Sequence, residues 1–342
     1  MTGPRSADVT VCVPAYEAEA TIADCIGSVL EQDVSVEVLV ADDCSSDRTV
    51  ERAKSFDNER VTVVRNGQNL GRALNIASVL QRAEGQFITL LPADSRLPPG
   101  SIRRRLDALE AHADVAFALG DTRMETESGE RLGTRSLLER DAVLPPVGAV
   151  DLLLEPQRAF FSSLLARREA FEAVGGLRVD VAPSHRDLDL FLRLAATGGL
   201  VYVASPVAVD VSREADSTRE LSAQGLLSVS EWLVLRSAAD WATARGLDES
   251  ATAIRASLRP WARRRIGHSL LASAGLVDDD PSAALGLALL ADAGVRRSPL
   301  FLAAWLADAA PDRLVQPVLS RVMRRADRAR RRRWNLDVTR DP

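Results

Sequence analysis

The residues best placed to do chemistry are carboxylates and arginines that follow short apolar runs. The plainest case is Phe87-Ile88-Thr89-Leu90-Leu91-Pro92-Ala93-Asp94. An apolar run of strand length stops at a proline, and a lone carboxylate follows. A buried parallel strand ending in an acidic residue sets that carboxylate at the rim of an α/β sheet, where ligands bind. Such a rim often holds a divalent cation against a diphosphate with two neighbouring carboxylates, and here Pro92 stands where the first would be. Three further polar clusters follow similar runs: Pro14-Ala15-Tyr16-Glu17, Asp42-Asp43-Cys44-Ser45-Ser46-Asp47, and Asn66-Gly67-Gln68-Asn69-Leu70-Gly71-Arg72. A guanidinium such as that of Arg72 suits a phosphate or a carbonyl edge. Taken singly, each cluster also reads as a turn, a helix cap or a strand terminator. Their convergence on one sheet edge points to a site.

The elements that would position them alternate. Val9–Val13, Val36–Ala41, Arg60–Val64, Phe87–Leu91 and Val115–Leu119 read as strands from their β-branched composition. Between them, Ala20–Gln32, a segment from Thr49, Arg72–Arg82 and Pro98–Ala111 carry apolar residues at helical spacing. Ser46 or Asp47 is a natural cap for the second of these helices. Alternation at this pace predicts right-handed βαβ units around a mainly parallel sheet. Residues 121–158 read as loops and short elements over the rim. Phe160–Ala166 reads as a strand, Arg168–Val174 as a short helix, Ser184–Thr197 as a helix, and Leu200–Ala204 with Val207–Val211 as two closing strands. After about Glu220 the strand signals vanish and the pattern is helical. The expected organisation is an α/β domain over residues 1–219 and a helical extension over 220–342.

Composition narrows the class. The 342 residues are 46% hydrophobic and 27% charged, with a net charge of −5, as expected of a soluble globular protein and not a disordered one. Three cysteines, Cys12, Cys25 and Cys44, make no disulfide framework and no zinc spacing, which suits a reducing cytoplasm. No signal-peptide pattern opens the chain, and no apolar run reaches the roughly 18–20 residues a bilayer requires. Membrane contact is therefore expected to be peripheral. Near the C-terminus, Leu314, Val315, Val318, Leu319, Val322 and Met323 form an apolar stripe, followed by Arg321, Arg324, Arg325, Arg328, Arg330–Arg333 and Trp334. That pattern reads either as a basic amphipathic helix on an anionic membrane or as a helix packed on its own domain with a solvated basic end. Nucleic-acid binding is disfavoured, because a basic cluster at one terminus of an acidic protein is not a basic face.

The serial motifs carry a resemblance. Val11-Cys12-Val13-Pro14-Ala15-Tyr16-Glu17, Ala41-Asp42-Asp43-Cys44-Ser45-Ser46-Asp47-Arg48-Thr49, Asn69-Leu70-Gly71-Arg72-Ala73-Leu74-Asn75, Ala83-Glu84-Gly85, Phe171-Glu172-Ala173-Val174-Gly175-Gly176-Leu177 and Arg186-Asp187-Leu188-Asp189-Leu190 resemble those of family 2 glycosyltransferases of the GT-A fold, over roughly residues 8–215. The resemblance implies an inverting transfer of a sugar from a nucleotide diphosphate, most commonly UDP, to an acceptor hydroxyl. Pro14, Ala15, Tyr16, Glu17, Asp42, Arg72, Ala93 and Asp94 would border the nucleotide. Asp94 matches the second acid of the family's Asp-x-Asp motif and would hold Mn²⁺ or Mg²⁺, with Pro92 replacing the first. One carboxylate with phosphates and water can serve a hard cation; Asp94 also reads as a simple turn cap before Pro98-Pro99. Asp187 matches the presumed general base, with Arg186 in place of a glutamate, while Ser184-x-x-Asp187 is equally a capping box. Asp189, two residues on, faces another side of the helix and is expected to be structural.

Two other departures matter. Some relatives supply a histidine ligand after the last strand, and here Val207–Glu220 offers only Asp210, Glu214 and Asp216. The Gln-x-x-Arg-Trp signature of processive synthases is absent, so single sugar addition is expected. The acceptor would be a hydroxyl, on a lipid carrier if the basic tail meets a membrane at its cytoplasmic face, and the helical extension offers a surface for a homodimer. Two competing classes remain: a degenerate relative that binds nucleotide or a partner without turnover, and a nucleotidyltransferase. The latter lacks the Gly-rich, basic phosphate loop expected after its first strand.

Overall fold

A computed structural model describes residues 8–155, 159–181, 185–212 and 226–258. The first half alternates as the apolar runs predict: β1 Val9–Ala15, α1 Ile22–Leu30, β2 Val36–Asp42, α2 Thr49–Lys54, β3 Val61–Arg65, α3 Arg72–Leu80, β4 Phe87–Leu90 and α4 Ser101–Glu110. Next come β5 Phe117–Thr126, β6 Arg131–Arg135, β7 Ala142–Leu144, α5 Pro146–Leu153, β8 Leu165–Arg167, α6 Arg168–Ala173, α7 Arg186–Gly198, β9 Leu200–Ser212 and α8 Leu226–Thr243. Among the described residues the sheet runs β3-β2-β1-β4-β8-β5-β9-β7, with β6 hydrogen-bonded to β5.

The pairs β2–β3, β1–β2, β1–β4 and β5–β9 are parallel, and β8 lies antiparallel between β4 and β5. Two reversals at β8 return β5 and β9 to the direction of β1–β4. The carboxyl ends of β1 to β5 and of β9 therefore open on one edge, where an α/β sheet binds its ligands. The core beneath is the aliphatic set expected of strands buried on both faces, with Val9, Val11, Val13, Val36, Val38 and Val40 packed against Ile22, Ile26 and Val29 of α1.

Three sequence expectations change. Residues 121–158 are not mainly loops: β5 continues to Thr126 and pairs with β6 in a hairpin. The run at Phe160–Ala166 is a 3₁₀ turn, Phe161–Ser163, followed by the short β8. The two closing strands are one, β9, whose register against β5 shifts around Asp121 so that Pro206 is accommodated without a ladder donor.

Gly85 explains one motif physically. Its N–H donates to the Thr10 hydroxyl at 2.8 Å, and a Cβ there would sit 2.7 Å from the Thr10 backbone nitrogen. The close approach seats β4 against β1. Gly85→Ala is expected to cost about 1–3 kcal/mol through overpacking, read as a lowered thermal midpoint with an unchanged fold by circular dichroism.

By its contacts the chain divides into two compact units, residues 1–217 with 233–254, and 218–232 with 255–342. The first holds every residue discussed below. The basic stripe expected at 314–334 lies outside the described residues, as do Glu214 and Asp216. Among the described residues no helix is long and apolar enough to cross a membrane.

Candidate active site

Strand register brings three predicted or neighbouring positions level at the rim. Ala15 pairs with Asp42 and Asp42 with Arg65, the last residues of β1, β2 and β3. Asp42 is fully buried; its Oδ2 accepts the Ser45 N–H at 3.1 Å and faces Arg65 Nε at 3.3 Å. Its Oδ1 is also buried and has no hydrogen-bond partner among the described residues. An orphaned carboxylate oxygen at a ligand-binding rim is an acceptor waiting for an N–H or O–H donor. Tyr16, the next residue after β1, stands beside this edge 54% exposed, a free aromatic face.

The loops after β1 and β2 are zipped together. Glu17 N–H donates to Ser45 Oγ at 3.0 Å, and the Glu17 carboxylate accepts both the N–H and the hydroxyl of Ser46 at 2.9 Å. Ala18 N–H donates to Thr49 Oγ1 and Glu19 N–H to Asp47 Oδ2. Glu17 thus has a structural task, its backbone in the left-handed region at φ 48°. Asp47 serves α2 as expected, accepting the Thr49 N–H at 3.0 Å, although the cap position itself is Arg48.

Asp43 was not singled out by sequence, yet it builds the third cluster. Its Oδ1 accepts from Asn66 Nδ2 and Leu70 N–H, and its Oδ2 from Gly71 N–H. Asn66 Nδ2 also donates to Asn75 Oδ1, and Asn75 Nδ2 donates to the Ala41 carbonyl at 2.9 Å. Gly71 turns at φ 81° and starts α3, leaving Arg72 exposed at the rim. The buried network around Asp43 fixes where that guanidinium begins.

Asp94 lies in the turn after β4. Pro92 supplies only a carbonyl, which Cys25 Sγ approaches at 3.6 Å. The second carboxylate near Asp94 comes from the far end of the sheet, from Asp210 of β9. Burial pushes the Asp210 carboxyl above its ordinary range and Asp94 adds to this, while the Ser162 and Ser95 hydroxyls and Arg72 pull the other way. Ser162 Oγ donates to Asp210 Oδ2 at 2.9 Å. Arg72 in turn reaches Arg186, whose guanidinium is held below its usual range first by burial and then by Arg72, against the attraction of Asp187. Asp210 is therefore within electrostatic reach of Asp94 and Arg72, and Arg186 of Arg72 and Asp187.

The helix carrying Asp187 does not start as the capping-box reading expects. The cap is His185, left-handed at φ 62°, and makes no side-chain cap bond; Ser184 lies outside the described residues. Asp187 is instead a first-turn carboxylate whose Oδ1 accepts the Leu188 N–H at 2.9 Å. Asp189 is buried in a clamp, accepting from Arg178 and from Arg193 Nε and Nη2 at 3.0 and 2.7 Å. Its role is structural, as its helical position predicts.

Among the described residues no group of three or more His, Cys, Asp or Glu could enclose a metal ion. The donors at Asp94 instead suit a hard cation that completes its shell with phosphate oxygens and water, since Mg²⁺ commonly binds through one or two carboxylates plus ligand phosphates.

Comparison with known proteins places this architecture. Residues 10–175 match the model of the family described as Glycosyl transferase family 2. A Mycobacterium tuberculosis protein, MT1568, of uncharacterised function, is 28% identical over 231 residues, covering 64% of this chain and 72% of its own. The Escherichia coli enzyme WfgD, named UDP-Glc:alpha-D-GlcNAc-diphosphoundecaprenol beta-1,3-glucosyltransferase, is 38% identical over 87 residues, 25% of this chain and 34% of its own. Among solved structures, residues 1–349 of TarS from Staphylococcus aureus superpose with a TM-score of 0.65 at 17% identity, covering 88% of this chain and 87% of that one. On fold, motif order and relatives together, residues 10–175 carry a glycosyl transferase family 2 domain, and the architecture is the GT-A fold.

Proposed function

We propose that the protein is an inverting glycosyltransferase that takes its sugar from a UDP-sugar and adds it to a hydroxyl of a cell-surface glycan precursor. The observation that carries this reading is Asp42: a fully buried carboxylate at the rim with one oxygen lacking a protein donor. Uracil and ribose both present N–H or O–H donors for such an acceptor, and the exposed ring of Tyr16 offers the base a stacking face. Solved structures of TarS in complex with UDP-GlcNAc and with UDP share this fold, and WfgD is named for a UDP-glucose donor and a diphosphoundecaprenol-linked acceptor. These support a UDP-sugar donor and a lipid-linked acceptor for this chain; in this reading the acceptor is met at the cytoplasmic face of the membrane.

In this reading Ala15, Pro14 and Ala93 shape the nucleotide pocket, and Arg72 faces the diphosphate with Asp94. A bound Mn²⁺ or Mg²⁺ would neutralise charge on the departing diphosphate. Asp187 takes the acceptor hydroxyl proton as that oxygen attacks the sugar's anomeric carbon, so the C–O bond forms on the face opposite the bond that breaks. Arg186, beside Asp187, adds positive charge where the family has a glutamate.

Titration calorimetry tests the carrying observation. UDP is expected to bind, and Asp42→Asn to lose roughly 10- to 100-fold in affinity, the worth of a charge-assisted hydrogen bond. Wild-type protein that binds none of UDP, GDP or dTDP overturns the nucleotide reading.

A further inference from the structure

We propose that Asp210 of β9 is the second carboxylate of the cation seat, standing in for the acid that Pro92 does not supply. The inference rests on the nucleotide reading above and goes beyond it to Asp210, a residue outside the serial motifs.

The geometry around Asp210 is built. Val209 and Arg96 exchange both backbone hydrogen bonds, at 2.8 and 2.9 Å, an isolated antiparallel bridge that ties β9 to the turn after β4. Asp210 therefore sits next to the 94–96 turn by backbone pairing alone. One of its oxygens, Oδ2, is fixed by Ser162. Ser162 itself stands in a 3₁₀ turn that the fully buried Arg105 clamps, donating from Nη1 to the Ser163 and Leu164 carbonyls at 3.1 and 2.9 Å. The rotamer of Asp210 is thus set from beneath.

What that arrangement leaves over is polar and unsatisfied. Asp210 Oδ1 is buried without a hydrogen-bond partner among the described residues. Ser95, only 1% exposed, has a hydroxyl in the same condition. The two lie near one another but outside hydrogen-bonding geometry. Asp94 is the residue just before Ser95, in the turn that the Arg96–Val209 bridge ties to β9. A buried carboxylate oxygen and a buried hydroxyl that lack partners are costly unless a further group joins them. Arg72 faces Asp210 but is exposed and can turn to a phosphate. A divalent cation meets the need directly: two carboxylate oxygens and a hydroxyl are hard donors, and nucleotide phosphates with water complete the shell.

The test is a Mn²⁺ titration followed by the loss of the free-ion electron paramagnetic resonance signal, on the full chain with and without UDP. Wild type is expected to bind Mn²⁺ firmly only with UDP present. Asp210→Asn is expected to weaken that binding roughly tenfold or more while UDP binding without metal stays unchanged, and adding Pro92→Asp to it is expected to restore Mn²⁺ affinity. Wild-type Mn²⁺ affinity in Asp210→Asn, or UDP-bound wild type that takes up no Mn²⁺, overturns the proposal and leaves the nucleotide reading intact. Absence of UDP binding in wild type overturns both. Should Asp210→Asn not fold, Ser162→Ala, which releases Oδ2, is expected to weaken Mn²⁺ binding, and undiminished affinity there overturns the proposal equally.

Discussion

Replacing Asp189 by alanine is expected to destabilise the fold by about 3–5 kcal/mol, the cost of leaving buried cations without their anion. Asp189 and Arg193 are both fully buried, and Arg178 reaches the same carboxylate with Nε at 3.1 Å while its Nη2 bonds the other oxygen. Arg193 also donates to the Val174 and Gly176 carbonyls at 2.7 and 2.8 Å. Its guanidinium lies 5.9 Å from the ring centre of Trp241 in α8, and Arg245 lies 4.3 Å from the same ring. Burial holds the Arg193 guanidinium below its usual range, and Asp189 is the group that opposes this. The clamp therefore ties three pieces to one carboxylate: the loop after α6, the second turn of α7, and α8. Without Asp189 two guanidiniums must find water or distort the loop. Urea denaturation measures the loss as a lowered midpoint at unchanged m-value. Asp189→Asn, which keeps the shape and one acceptor oxygen, is expected to lose less. A change below about 1 kcal/mol for Asp189→Ala, the size of a surface ion pair, would show that the clamp is not what holds α7.

The contrast between elements that the sequence discloses and those it conceals is physical. Strands β1, β2 and β4 are buried on both faces, so they must be written in β-branched and aliphatic residues, and their ends mark themselves. Asp42, Arg72 and Asp94 were legible because each follows such an end or the turn after it. The outer half of β5 is different. Asp121, Arg123 and Glu125 alternate along it, and their burial is made tolerable by pairing Glu125 with Arg96 and Arg123 and by the Tyr202 hydroxyl on Asp121. Arg96 and Tyr202 are distant in sequence, so the segment reads as a polar loop. β9 was split by Ser205-Pro206 because a register shift is invisible without its neighbour.

The same reason hid part of the site. Asp42 and Asp43 are adjacent, and nothing local says that the first keeps an oxygen free while the second uses both on the 66–71 loop. Arg65 earns its place only through the β2–β3 register. Asp210 is legible as a departure from a histidine, not as a neighbour of Asp94, because what joins β9 to the turn after β4 is an isolated bridge, Arg96–Val209, that no local pattern announces. Glu17 was read toward the nucleotide, and its carboxylate is engaged by Ser46.

Asp187→Asn is expected to leave the protein folded and UDP-competent while slowing sugar transfer by about 10²–10⁴-fold, the usual worth of a positioned general base. Asp187 and Asp189 are two residues apart on one helix, so they point to different sides and separate catalysis from stability. Asp189 faces inward to two arginines; Asp187 is half-buried in the first turn of a 13-residue helix, its Oδ1 on the Leu188 N–H. Arg186 adjoins it at the start of the same helix. An amide in place of the Asp187 carboxylate can still accept the Leu188 N–H, so the local structure has no reason to change. It cannot take a proton from an acceptor hydroxyl. Donor hydrolysis and transfer to a lipid-linked acceptor, each measured with thermal melting and UDP calorimetry on the same preparations, separate the outcomes. Loss of both rates at unchanged melting temperature and unchanged UDP affinity is the expected result. Equal rates in wild type and Asp187→Asn would move the base elsewhere on the rim. A loss of stability like that of Asp189→Ala would make Asp187 a part of the clamp.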